Sequence, residues 1–182
     1  DFLKGTFLEG VPVIPVSALK QKGIDELTAA LDTVVQNIPK KNDCGIFRLP
    51  VDRVFTMKGF GTVVTGTLIS DSISVGEDVL ILPEEINTRI RGIQVHNQPT
   101  QEATAGQRTA INLQGIEKES LQRGDVLARY GTIVPSIRLD VYIDYLKNNA
   151  KSLKNRTLTR LHTGTSEIIA RVILIEKDEL AP

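Results

Sequence analysis

From Gly45 onward the chain is a succession of short runs rich in Val, Ile, Leu and Thr, each closed by Gly, Pro, Asn or Asp. This texture limits the fold more than any single motif. The candidate strands are Phe47–Phe55, Thr62–Ile69, Asp78–Leu82, Thr88–His96, Arg108–Leu113 and Val126–Ala128. Turn signals fall between them at Lys58-Gly59, Ser70-Asp71, Gly76-Glu77, Asn97–Pro99, Ala105-Gly106 and Arg123-Gly124-Asp125. No helical period is sustained here, although Lys118–Gln122 can form one helical turn. Many short strands at this spacing specify an all-β sandwich or barrel.

The N-terminal segment differs. Val11, Val13, Ile14 and Val16 read as a short apolar strand. Ile24, Leu27, Leu31, Val34 and Ile38 then recur at three and four residues, the pattern of an amphipathic helix. Asp25 and Glu26 sit in its first turn, where the helix dipole favours negative charge. Pro39 and the polar run Lys40–Asp43 end it. One strand and one helix cannot cover a sheet on both faces, so residues 1–43 are expected to be the tail of a larger α/β domain. A second boundary falls at Gly131–Ser136, followed by the β runs Ile137–Leu146, Thr157–Leu161 and Glu167–Ile175. Three runs are too few to close a barrel and leave an open edge.

Composition removes several classes of function. The 22 Lys and Arg balance the 22 Asp and Glu, so any nucleic-acid contact must be local. Three Tyr, five Phe and no Trp make a base-stacking platform a poor expectation. The single cysteine, Cys44, cannot form an internal disulfide, and neither it nor His96 or His162 sits in a ligand pattern, so a bound metal is not expected. No run has the length of a membrane span or the form of a signal peptide. A cytoplasmic location without membrane partners is the expectation.

The motifs taken singly say little. Ser17-Ala18-Leu19 follows the first apolar run, where a nucleotide-binding sheet presents its ligand site; taken alone, an ordinary strand-to-helix turn is the simpler explanation. No G-x-x-x-x-G-K-[ST] or Asn-Lys-x-Asp occurs, so this stretch is not expected to bind GTP tightly or hydrolyse it. Lys58-Gly59-Phe60-Gly61-Thr62 reads as a hairpin turn. Asp52-Arg53 interrupts an apolar strand at its end, and Arg123-Gly124-Asp125 precedes a short strand; a solvated terminus and a plain turn are the simpler explanations. Arg89, Arg91, Arg108 and Arg129 are expected to be exposed. No catalytic nucleophile–base pair or carboxylate pair can be assembled.

In combination and in order, the motifs resemble the translational GTPases of the elongation factor Tu type. The resemblance is carried by Ser17-Ala18-Leu19, then Gly59-Phe60-Gly61-Thr62-Val63-Val64-Thr65-Gly66, Val75-Gly76-Glu77-Asp78, Ala105-Gly106-Gln107-Arg108 and Leu121-Gln122-Arg123-Gly124-Asp125-Val126-Leu127. Within that superfamily the run from Phe47 through Asp52-Arg53 to Gly61 is most similar to the selenocysteine-specific elongation factors. Val95-His96-Asn97-Gln98-Pro99 and Leu161-His162-Thr163-Gly164-Thr165 point the same way. The resemblance implies a mainly β fold in three parts: the C-terminal strand and helix of a GTPase (G) domain at 1–43, a domain 2 β-barrel at 44–131, and the first part of a domain 3 β-barrel at 132–182. It also implies a GTP-dependent factor that delivers selenocysteyl-tRNA to the ribosome at UGA codons. GTP and Mg would be cofactors of the full-length parent and none of this segment, and an mRNA hairpin would be read by C-terminal domains absent here. Asp52, Arg53 and Arg123 would line the aminoacyl pocket, while Ser17, Ala18 and Leu19 would lie near the nucleotide.

The physics of such a pocket is sound. A selenol is far more acidic than a serine hydroxyl, so selenocysteine arrives as an anion and suits guanidinium donors. Asp52 could orient an arginine or accept the aminoacyl ammonium. Other readings are a general elongation or initiation factor, a sulfate-activation GTPase subunit, an autonomous enzyme on the same barrel, and a non-catalytic ribosome-associated barrel.

Overall fold

The computed structural model describes residues 2–38, 45–147 and 149–182. The expected helix stop at Pro39–Asp43 and Cys44 lie outside them. The chain divides into two compact units. One comprises Asp1–Asn42, Tyr142–Asn155 and Leu174–Pro182; the other comprises Asp43–Val141 and Arg156–Ile173.

In chain order the elements are helix α1 (Ile24–Asn37) and strands β1 (Arg48–Met57), β2 (Gly61–Thr67), β3 (Ser72–Ser74), β4 (Asp78–Leu82), β5 (Ile86–Val95), β6 (Gln98–Thr100), β7 (Glu102–Thr104), β8 (Arg108–Leu113), β9 (Val126–Ala128), β10 (Leu153–Lys154), β11 (Leu158–Thr163), β12 (Ser166–Arg171) and β13 (Glu179–Leu180). A short 3-10 turn spans Lys118–Ser120, where the sequence allowed one.

The larger unit is a closed antiparallel barrel. The hydrogen-bonded order β4-β9-β1-β2-β8-β5 returns to β4 through the β4–β5 pairing, and β6 extends from β5. Closure removes free strand edges, the principal liability of a small sheet protein. The mainly β fold class expected from the sequence is therefore the one observed. Alternation along the strands aims one face inward: Thr109, Ile111 and Leu113 of β8 are buried while Arg108 is exposed. The core is built from Phe47, Leu49, Val51, Val64, Leu68, Ile73, Val79, Ile81, Ile90, Ile111, Leu113 and Leu127. Each such side chain contributes about 1.5–3 kcal/mol on burial.

Two details shape the barrel around β1. A Cβ on Gly66 would run into the Pro50 carbonyl oxygen and lie 2.7 Å from Leu49 Cδ2, so β1 and β2 approach as closely as they do only over a glycine. The β1–β2 register also slips: Val51 pairs with Gly66 and Arg53 with Thr65, leaving Asp52 as an extra residue. This is a β-bulge, a device that re-aims side chains.

Hairpin β11–β12 belongs to the barrel unit. Its two-residue loop, Gly164-Thr165, sits between the paired residues Thr163 and Ser166. β3 and β7 form a separate two-stranded ribbon.

The smaller unit contains α1, whose acidic residues Asp25 and Glu26 occupy the first turn as expected. No α1 residue is buried within this chain. Residues 11–16, expected as a strand, belong to no described strand; only an isolated bridge joins Ser17 to Lys22. The run expected at 137–146 likewise forms no strand among the described residues. A strand requires a partner, and neither apolar run pairs with a strand among the described residues. The remaining element is the short β10–β13 pair.

Candidate functional site

The bulge in β1 organises the polar face of the barrel. Asp52 accepts a hydrogen bond from Thr65 Oγ1 at 2.7 Å. Its carboxylate also receives both terminal nitrogens of Arg108, with Nη2 to Oδ1 at 3.1 Å and Nη1 to Oδ2 as an ion pair. Burial raises the Asp52 pKa; the hydrogen bonds from Arg108 and Thr65 and the charges of Arg108 and Arg53 outweigh it, leaving the carboxyl below its ordinary value of 3.8. Asp52 thus holds an arginine, and that arginine is Arg108.

Beside this pair lies a cavity of about 160 Å³ lined by Thr65, Gln94, His96, Asn97, Arg108, Thr109 and Ala110. His96 and Asn97 adopt left-handed backbone at the β5–β6 turn, with φ 52 and 61. Arg53 is exposed on β1, adjacent to the bulge.

Arg123 approaches the bulge by a different route. Gly124 N donates to the Val51 carbonyl at 3.0 Å, and Val51 N donates to the Asp125 carbonyl at 2.8 Å. The Arg123-Gly124-Asp125 backbone is therefore laced to the residue before Asp52. The Arg123 side chain is exposed and its Nε donates to the Thr165 carbonyl of the β11–β12 loop at 3.1 Å. The fold thus brings Asp52, Arg53 and the Arg123 backbone together. It adds Arg108, which local sequence reasoning set aside as merely exposed.

The other arginines of that group divide. Arg89 is exposed and paired with Asp78 at 2.8 Å. Arg129, expected to be exposed, is only 32% exposed in its side chain. It pairs with Asp71, donates from Nε to Glu77 at 3.1 Å and from Nη2 to the Ser72 carbonyl at 2.7 Å, and lies 5.6 Å from the Phe47 ring centroid. Its role is to tie the β3 region to the barrel.

Ser17, Ala18 and Leu19 lie in the other unit. Ser17 N donates to the Lys22 carbonyl at 2.9 Å, Lys22 N returns to the Ser17 carbonyl at 3.1 Å, and Gln21 N and Nε2 both donate to the Ala18 carbonyl. This is a hydrogen-bonded turn with Leu19 94% exposed. A phosphate cradle requires several converging free amides; the Ser17 amide is already committed, and the chain has no P-loop lysine. The residues present do not supply a phosphate and Mg site of their own.

Residues 61–128 match the family model for elongation factor Tu domain 2. The chain is 44% identical over its full length to a selenocysteine-specific elongation factor of Desulfomicrobium baculatum, of which it spans 28%. It is 36% identical to elongation factor Tu 2 of Streptomyces avermitilis, with 92% of this chain and 46% of that protein aligned. Among solved structures, translation elongation factor SelB from Methanococcus maripaludis superposes with a TM-score of 0.73 at 29% identity, covering 97% of this chain and 40% of that one. A bacterial selenocysteine-specific elongation factor superposes with a TM-score of 0.69 at 25% identity, covering 90% and 27%. By fold and sequence the chain belongs to the elongation factor Tu-like family. Within that family it corresponds, over its whole length, to a stretch of the selenocysteine-specific elongation factors.

Proposed function

We propose that this chain is the aminoacyl-binding part of a cytoplasmic, GTP-dependent elongation factor that carries selenocysteyl-tRNA to the ribosome. Residues 1–43 would end its G domain, 44–131 form domain 2, and 132–182 open domain 3. Asp52, Arg53 and Arg123 are the proposed pocket residues, joined by Arg108. The observation that carries this reading is the bulge at Asp52, which holds Arg108 beside an open cavity. A guanidinium fixed by a carboxylate keeps its orientation while retaining donors for an incoming anion. A deprotonated selenol supplies that anion; the neutral hydroxyl of serine does not, and a site built for one charged group rejects the uncharged analogue strongly.

GTP and Mg would be held by parts of the parent outside this chain, with Ser17, Ala18 and Leu19 near the nucleotide. The parent would time tRNA release by hydrolysing GTP and would reach its mRNA hairpin through further C-terminal domains.

The test is protection of the aminoacyl ester. The intact factor with GTP is expected to slow spontaneous hydrolysis of selenocysteyl-tRNA, and to do so far less for seryl-tRNA on the same tRNA body. Equal protection of both, or protection of neither, would return the chain to the reading of a general elongation factor.

A further inference from the structure

The β11–β12 loop meets the barrel beside the bulge. Thr165 Oγ1 donates to the Val51 carbonyl at 2.6 Å, while the Thr165 carbonyl accepts Arg123 Nε at 3.1 Å. Ser166 Oγ donates to the Gly124 carbonyl at 3.0 Å. Gly124 has φ +106, and a Cβ there would collide with Ser166 Oγ, so the approach depends on a glycine. The hairpin gains almost nothing from apolar burial here. No residue of 158–171 is buried, and Leu158, Ile168 and Ile169 are 61%, 48% and 66% exposed. Contacts that are polar, short and directional fix geometry more than they add bulk stability.

The Val51 carbonyl lies in the peptide plane that leads into Asp52. Asp52 is the residue without a ladder partner, so its main chain is not held by β2. Thr165 and Gly124 together fix that plane. We infer that Thr165 is a positioning residue: through the Val51 carbonyl and Arg123 it sets the aim of Asp52, and so of Arg108, in the aminoacyl site. The selectivity consequence rests on the proposed function; the geometric coupling does not.

Two measurements separate these claims. The first follows the titration of the Asp52 carboxyl by NMR in this chain. Thr165→Val, which keeps the shape and removes the hydroxyl, is expected to move the midpoint up toward the ordinary 3.8. Thr165→Ser is expected to restore the native value. An unmoved midpoint in folded Thr165→Val overturns the inference, as does a Thr165→Ser variant that behaves like valine. Should Thr165→Val fail to fold, Ser166→Ala removes the neighbouring tether and carries the same expectation and the same refutation.

The second measurement compares protection of selenocysteyl-tRNA and seryl-tRNA by the intact factor. Thr165→Val is expected to lower that ratio roughly fivefold, the size of one lost hydrogen bond. A selective native factor whose ratio is untouched by Thr165→Val overturns the selectivity consequence. An unselective native factor refutes the proposed function alone, with the NMR result still deciding the coupling.

Discussion

At the scale of single residues, Arg108 and Arg123 make contrasting predictions. Arg108 shares the Asp52 carboxylate and lines the cavity, whereas Arg123 is committed by Nε to Thr165. Arg108→Ala in the intact factor is expected to weaken selenocysteyl-tRNA binding by about 1.5–3 kcal/mol, the range for a hydrogen bond to a charged group, while seryl-tRNA binding changes little. Arg123→Ala is expected to lose less, also preferentially against selenocysteyl-tRNA. Equilibrium binding of both aminoacyl-tRNAs measures the two effects.

Asp125 supplies a prediction of opposite electrostatic sign. It is only 2% exposed, and burial raises its pKa above 3.8 despite the hydrogen bond that Oδ2 accepts from Gln122 N at 2.8 Å. A carboxyl raised in the folded state costs stability when ionised. That cost is present above the folded pKa and vanishes as pH falls to the unfolded value. Asp125→Asn keeps an acceptor for Gln122 N and is expected to raise the melting temperature at neutral pH, with the advantage fading toward pH 3.8. Asp52 behaves in the reverse sense. Its depressed pKa contributes stability above 3.8 that is lost as pH falls through the folded value.

At the scale of elements, Gly66 marks where β1 and β2 come too close for a side chain between them. Gly66→Ala is expected to destabilise the chain by roughly 3 kcal/mol, because its Cβ meets backbone at Pro50 rather than a side chain able to move. Chemical denaturation would measure this, and a near-neutral result would mean that β1 can retreat from β2. The strands that sequence made legible are those with several inward apolar residues, such as Asp78–Leu82, Arg108–Leu113 and Val126–Ala128. β3 and β7 were not legible: each is three residues long and buries one side chain, Ile73 or Ala103, so alternation has nothing to repeat. The bulge was hidden for a related reason. Asp52-Arg53 looked like the end of a strand, but β1 continues to Met57. Arg108 carries no local signal for Asp52, since their meeting depends on β2 lying between β1 and β8 in a fixed register.

At the scale of the whole chain, the two units differ in how they are held. The barrel has a continuous apolar core, whereas α1 leaves Leu31, Val34 and Val35 at 54%, 51% and 67% exposure. A helix of 14 residues that fully buries none of its side chains is marginal in water. Amides of α1 are therefore expected to exchange with solvent much faster than those of β1, β2 and β8. Hydrogen-exchange mass spectrometry on this chain would read the contrast, and comparable protection would show that α1 is stabilised by something beyond its own turns.

The first and last strands of the barrel, β1 and β9, lie side by side, with Arg48 opposite Ala128, Leu49 opposite Leu127 and Pro50 opposite Val126. Any tension transmitted along the polypeptide enters and leaves at the same mouth of this ladder. The rungs would then open in sequence, like a zipper, rather than share the load in shear. The cation–π contact of Arg129 with Phe47 sits just outside the first rung, where a clasp has the greatest mechanical effect.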